Sequence, residues 1–166
     1  MFKYNEVIGN IFNYEKEYII IGAAGVDLRG IEGVPATIDK RYGLEKYFKK
    51  VMCGERYCNP GVVLVHGAGK VGELIIHSEY DLRTALEDLK EYCIMRERVR
   101  ESSGWGPSVT KLAFPQLSLK NNGWHDLLFD VFGDTDYEVL VVKEKEDVEL
   151  EIKDGHWDER QGKIEF

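Results

Sequence analysis

Short apolar runs separated by glycine-rich or charged segments dominate the chain. Phe2–Ile8 alternates loosely and predicts a strand, broken at Gly9-Asn10. Tyr18–Ala23 is an unbroken apolar run, as expected for a strand buried on both faces of a helix-covered sheet. Gly61–Val65 and Glu73–His77 predict two more short strands, with the glycine-rich HGAGKVG between them as a turn. Lys111–Leu117 and Tyr137–Val142 complete the series. Between the strands lie stretches of three-four spacing. Pro35 to about Met52 reads as a helix, since proline at a first helical position forfeits no hydrogen bond. Asp81–Arg100 carries Leu82, Ala85, Leu86, Leu89 and Cys93 on one side, and Trp124–Phe132 carries Trp124, Leu127, Leu128 and Val131. Strands alternating with helices predict an α/β fold, a three-layer α/β/α sandwich with a central mixed sheet. Residues 1–143 form the domain, and 144–166 an acidic tail or an edge strand of the same domain, because Val148, Leu150 and Ile152 alternate with acids.

One stretch carries more than packing. The apolar run Tyr18–Ile21 gives way to Gly22-Ala23-Ala24-Gly25, and Gly30 and Gly33 punctuate the next ten residues, before Pro35 opens a helix. Strand, small-residue loop and helix N-terminus in that order let backbone N–H groups approach an anion. In open α/β sheets, ligands sit beyond the carboxyl ends of the strands. Two loops are expected there, Gly22–Val34 and Ser118–Trp124, and both are rich in glycine or small polar residues. Their convergence points to a ligand bearing phosphate.

Composition narrows the field. The 166 residues suffice for one domain with a core. A net charge of −8 repels nucleic acid and anionic membranes, but leaves room for a small anion held by local dipoles. No apolar run is long enough to span a bilayer. Cys53, Cys58 and Cys93 form neither a disulfide framework nor a metal-ligand pattern, so no metal and no cofactor is expected, and a reducing cytoplasm fits.

These segments together resemble the macro domain, the ADP-ribose-binding module. Gly9-Asn10-Ile11 is similar to the family's Gly-Asp-Ile start. Ile21–Gly43 aligns without a gap with its Asn-Ala-Ala-Asn and Gly-Gly-Gly-Val segment, matching at Ala23, Ala24, Leu28, Gly30, Gly33, Val34, Ile38 and Gly43. Asn59–His77 resembles the family's pair of strands ending in Ile-His. Leu112–Trp124 resembles the Ala-Phe-Pro strand and its loop, matching at Ala113, Phe114, Pro115, Ser118 and Gly123. The resemblance implies binding of ADP-ribose or a related small nucleotide. It assigns the ligand contacts to Asn10, Ile11, Ala23, Ala24, Gly25, Gly30, Gly33, Val34, Ser118, Leu119, Lys120, Asn121, Asn122, Gly123 and Trp124.

The departures bear on catalysis. The family's acid for the adenine amino group falls at Asn10, a neutral acceptor. Its two asparagines fall at Gly22 and Gly25, and the second normally contacts the terminal ribose and assists hydrolysis. The acid of one hydrolytic class falls at Pro35, which cannot activate water. Lys120 replaces a loop glycine, and Asn122 the aromatic near the terminal ribose. A binding module that has lost the usual catalytic residues is therefore expected. Two alternatives remain open. One is a hydrolase of ADP-ribosyl groups or a phosphatase of ADP-ribose phosphate, drawing on Asp27, Glu32 or His66. The other is a degenerate fold serving protein interaction.

Overall fold

The computed structural model describes residues 1–25, 63–66, 71–76, 78–104, 109–117 and 123–143. The helix expected over Pro35–Met52 and the tail 144–166 lie outside the described residues. Each apolar run becomes a strand: β1 (Lys3–Ile8), β2 (Ile19–Gly25), β3 (Val63–His66), β4 (Val71–Ile76), β5 (Lys111–Pro115) and β6 (Glu138–Lys143). They form one six-stranded sheet in the order β1-β6-β5-β2-β4-β3. All pairings are parallel except that of β3 with β4, so the sheet is mixed with one antiparallel edge.

Among the described residues two α-helices, α1 (Glu79–Ser103) and α2 (Trp124–Phe132), cover one face. Leu82, Ala85, Leu86, Leu89 and Cys93 of α1 and Leu127, Leu128 and Val131 of α2 pack on Ile21, Leu74, Phe114, Val139 and Val141 of the sheet. The opposite face carries a smaller cluster. There the 3-10 turn Ile11–Tyr14 brings Ile11 and Phe12 onto Ile20, Val71, Ala113, Leu140 and Val142. Removing these side chains from water at about 25 cal/mol per Å² of apolar area is the main stabilising term.

Local chemistry sets the ends of the elements. At the start of α1, the Asp81 carboxylate accepts from the Ser78 N–H at 3.0 Å. Gly104 closes that helix at φ 70°, a left-handed angle that glycine adopts without strain. Two of the boundaries that differ from the sequence expectation lie on β2 and β4. Gly22–Gly25, expected to leave the sheet, stays in β2, because each residue is in register with β4, from Gly22 with Glu73 to Gly25 with Ile76. Val71 and Gly72, expected in a turn, begin β4 for the same reason.

Candidate functional site

The geometry of interest lies where β2 and β5 part. The two strands are paired at Ile19–Leu112 and Ile20–Ala113 and no further. Beyond Ile20, β2 continues to Gly25 on the β4 side alone. β5 turns the other way: Pro115 is in register with Val142 of β6, and the Gln116 N–H donates to the Val142 carbonyl at 3.2 Å. The chain also leaves these two strands in opposite directions. After β2 it proceeds to β3 and β4, and after β5 it proceeds through α2 to β6. Such a reversal between neighbouring parallel strands opens a crevice at their carboxyl ends. The described residues end there at Gly25 after β2 and at Leu117 after β5. Gly30, Gly33, Val34, Ser118, Leu119, Lys120, Asn121 and Asn122 themselves lie outside the described residues, as do Asp27 and Glu32.

The described residues of the expected set divide in two. Gly9 and Asn10 come after the carboxyl end of β1, held by the Gly9 N–H donating to the Lys143 carbonyl at 2.8 Å. Asn10 is exposed, and its side-chain oxygen accepts from the Phe12 N–H at 2.9 Å. That bond caps the 3-10 turn. The oxygen expected to receive a base amino group is thus already engaged locally. Ala24 and Gly25 end β2 at the rim, and Gly123 caps α2 from the other side.

The other members have core side chains. Ile11 and Ala23 are 2% exposed and sit in the two hydrophobic clusters. Trp124, expected at the ligand, is 3% exposed. Its indole N–H donates to the Pro115 carbonyl at 3.1 Å, and its ring meets that of Phe114 edge to face at 5.6 Å. Trp124 therefore ties the first turn of α2 to the end of β5.

His66, one of the non-standard catalytic candidates, is misplaced for that role. Its register partner is Val71, the first residue of β4, so it stands at the amino end of the parallel strands, whereas the crevice lies at their carboxyl ends. A residue the sequence reading does not single out is Glu73. It is the one buried charged residue among the described residues, 2% exposed, and it stands level with Gly22. A charge inside the run ELII is the signal that marks it.

At the amino ends of β5 and β6, a polar cluster ties the strand starts together. Glu138 of β6 accepts from the Tyr18 hydroxyl at 3.2 Å and pairs with Lys111 at 3.5 Å and Lys3 at 3.9 Å. Burial and the Glu138 charge push the Tyr18 hydroxyl up to about 12. Among the described residues, no group of three His, Cys, Asp or Glu side chains is placed to hold a metal ion. No helix among them is long and apolar enough to cross a membrane.

No protein-family model and no curated protein matches the sequence. Among solved structures, the macrodomain of Thermus aquaticus DarG is similar, with a TM-score of 0.52 at 16% identity, covering 86% of this chain and 99% of that chain. At that identity the likeness is one of fold: the chain has the α/β architecture of a macrodomain, with a mixed six-stranded sheet.

Proposed function

We propose that this chain binds ADP-ribose, or a related nucleotide with a diphosphate, in the crevice between β2 and β5. The observation that carries the reading is the end of pairing at Ile20–Ala113, with the chain leaving the two strands in opposite directions. The macrodomain fold of the neighbour supports it, as do the small residues of both segments that leave the rim. The glycines of Gly22–Val34 supply backbone donors for phosphate, and Lys120 supplies a cation on an otherwise acidic protein. The chain acts as a binding module rather than a hydrolase, because Gly25 and Pro35 stand where an amide and a carboxylate would be needed. It works in the cytoplasm, where its thiols stay reduced, with 144–166 as an acidic tail or an edge strand of the same domain.

The test is titration with ADP-ribose, ADP and NAD by calorimetry, with the bound site located by amide chemical shifts. Binding is expected to move the amides of Gly25 and Gly123 and to leave those of Lys3 and Lys111, at the amino ends of their strands, unchanged. No heat with any of the three at millimolar concentration sinks the reading. Shifts confined to the amino ends of the strands sink the location.

A further inference from the structure

We propose that β1 is a homodimerisation edge, pairing antiparallel with β1 of a second copy about a two-fold axis at Asn5. Among the described residues β1 is the first strand of the sheet order, and its backbone is paired on one side only, with β6. The Lys3 N–H donates to the Tyr137 carbonyl and the Gly9 N–H to the Lys143 carbonyl, so odd-numbered residues turn their backbone groups towards β6. Tyr4, Glu6 and Ile8 then turn theirs away from the sheet. An edge of this kind is a template for another strand.

The side chains beside it are unusually apolar for such an edge. Ile8 is 58% exposed and Met1 95%. Phe129 of α2, 43% exposed, meets Phe2 at 4.9 Å and Tyr4 at 5.6 Å. His125 stacks edge-on against both Tyr4 and Phe129. Phe2 and Tyr4 pack on the helix-covered face and Val7 on the other, as alternation requires.

A second copy fits this edge by its own complementarity. Only even-numbered residues have outward backbone groups, so hydrogen-bonded cross-strand pairs must join even to even. The axis at Asn5 sets Tyr4 opposite the partner copy's Glu6, and Phe2 opposite the partner copy's Ile8. Ile8 is thereby covered by an aromatic ring. The Tyr4 hydroxyl, which donates to Glu6 of its own chain at 2.8 Å, gains a second carboxylate within reach. No like charges stand opposite each other. Shifting the axis to Glu6 would oppose the two Glu6 carboxylates, and shifting it to Tyr4 would oppose Phe2 to Glu6, so both are disfavoured. The symmetric arrangement continues the sheet across the axis and is self-complementary, as a two-fold interface must be.

The test uses the full chain in sedimentation and mild oxidation. The wild type is expected to sediment at twice its 19.1 kDa mass. Glu6→Pro removes an outward N–H, so β1 keeps its bonds to β6 and pairing between copies is blocked. It should weaken dimerisation at least about tenfold while circular dichroism stays unchanged. Asn5→Cys places two thiols across the axis, where opposed residues of a non-hydrogen-bonded pair lie about 4.5 Å apart at Cα. It should give a covalent dimer on oxidation, whereas wild type and Val7→Cys should not. A wild type that is monomeric up to millimolar concentration overturns the proposal. So does a dimer that Glu6→Pro leaves intact, or one that Asn5→Cys fails to cross-link.

Discussion

Ile20 of β2 pairs with Ala113 of β5, and beyond that rung the two strands go separate ways. β2 keeps its bonds to β4 out to Gly25–Ile76, and β5 keeps its bonds to β6 out to Pro115–Val142. Each of the two strands is thus held by one paired neighbour beyond that rung. The glycine-rich segment after β2 should then be the part that discriminates ligands. Gly33→Glu is expected to abolish ADP-ribose binding, because it sets a side chain and a negative charge against the phosphates. Calorimetry checks this, and affinity within a factor of about two of the wild type would count against phosphate contact at that segment.

Hydrolysis of ADP-ribosyl groups is expected to be slow or absent even where binding is measurable. Gly25 has no side chain to orient a ribose, and His66 stands at the wrong end of the strands. The loss of a positioned general base costs about 10²–10⁴-fold in rate. Release of ADP-ribose from a modified protein substrate, compared with that by an active hydrolase, measures it. Comparable turnover would refute the binding-module reading and make Asp27 and Glu32 the next positions to substitute.

The fold is largely legible from pattern, and the reasons differ by element. α2 has the expected bounds because a three-four apolar spacing is flanked by Gly123 and Gly133. α1 is longer than its apolar stripe, since the Ser78–Asp81 contact and Gly104 set its ends, and neither belongs to the stripe. The end of β2 is illegible because Gly22-Ala23-Ala24-Gly25 has loop composition, and only pairing with β4 keeps it extended. At the site, the glycines of the rim can be read from the sequence. The burial of Trp124 can be read only as the inner side of a helix, not as a bond to Pro115. The local engagement of the Asn10 oxygen depends on the backbone turning at Ile11, which no spacing rule predicts.

Trp124 offers a test of how the crevice is held. Trp124→Phe keeps a ring against Phe114 but removes the bond to the Pro115 carbonyl, leaving a buried acceptor without its donor. A loss of about 1–3 kcal/mol in unfolding free energy is expected. Because that bond ties α2 to the end of β5, beside the proposed site, ligand affinity should fall as well. Urea unfolding and calorimetry on the same variant separate the two effects. Unchanged stability would mean that the bond contributes nothing net.

Glu73 and Gly22 stand side by side on β4 and β2, a buried carboxylate next to a residue with no side chain. Glu73→Ala is expected to cost about 2–5 kcal/mol, from the buried volume lost beside Gly22. Gly22→Val should cost about 1–3 kcal/mol by crowding the same space. Residues in contact do not add, so the double variant should lose less than the sum of the two single losses. Strict additivity in urea unfolding would show that the two positions do not share their space.

Stability should fall on the alkaline side, and Cys93 should set where the fall begins. Burial, and to a lesser degree the Glu97 carboxylate, pushes the Cys93 thiol up from 9.0 to about 12. Tyr137, beside it, is raised from 10.0 to about 12, first by burial and then by Cys93 and Glu97. A raised pKa in the folded state means that the folded protein holds the proton more tightly than the unfolded chain. The resulting stability is fully present below pH 9.0 for Cys93 and is lost as pH rises towards 12. Within that window each such group lowers the unfolding free energy by about 1.4 kcal/mol per pH unit. Cys93→Ala removes the thiol that titrates first. It should lower stability at pH 7 by about 1–3 kcal/mol through the cavity it leaves. Its stability should then decline less steeply than that of the wild type between pH 9 and 10, where Tyr137, ordinarily titrating at 10.0, contributes less than Cys93. Urea unfolding at pH 7, 9 and 10 compares the slopes. Parallel slopes for the two proteins would show that the Cys93 thiol does not control the alkaline limit.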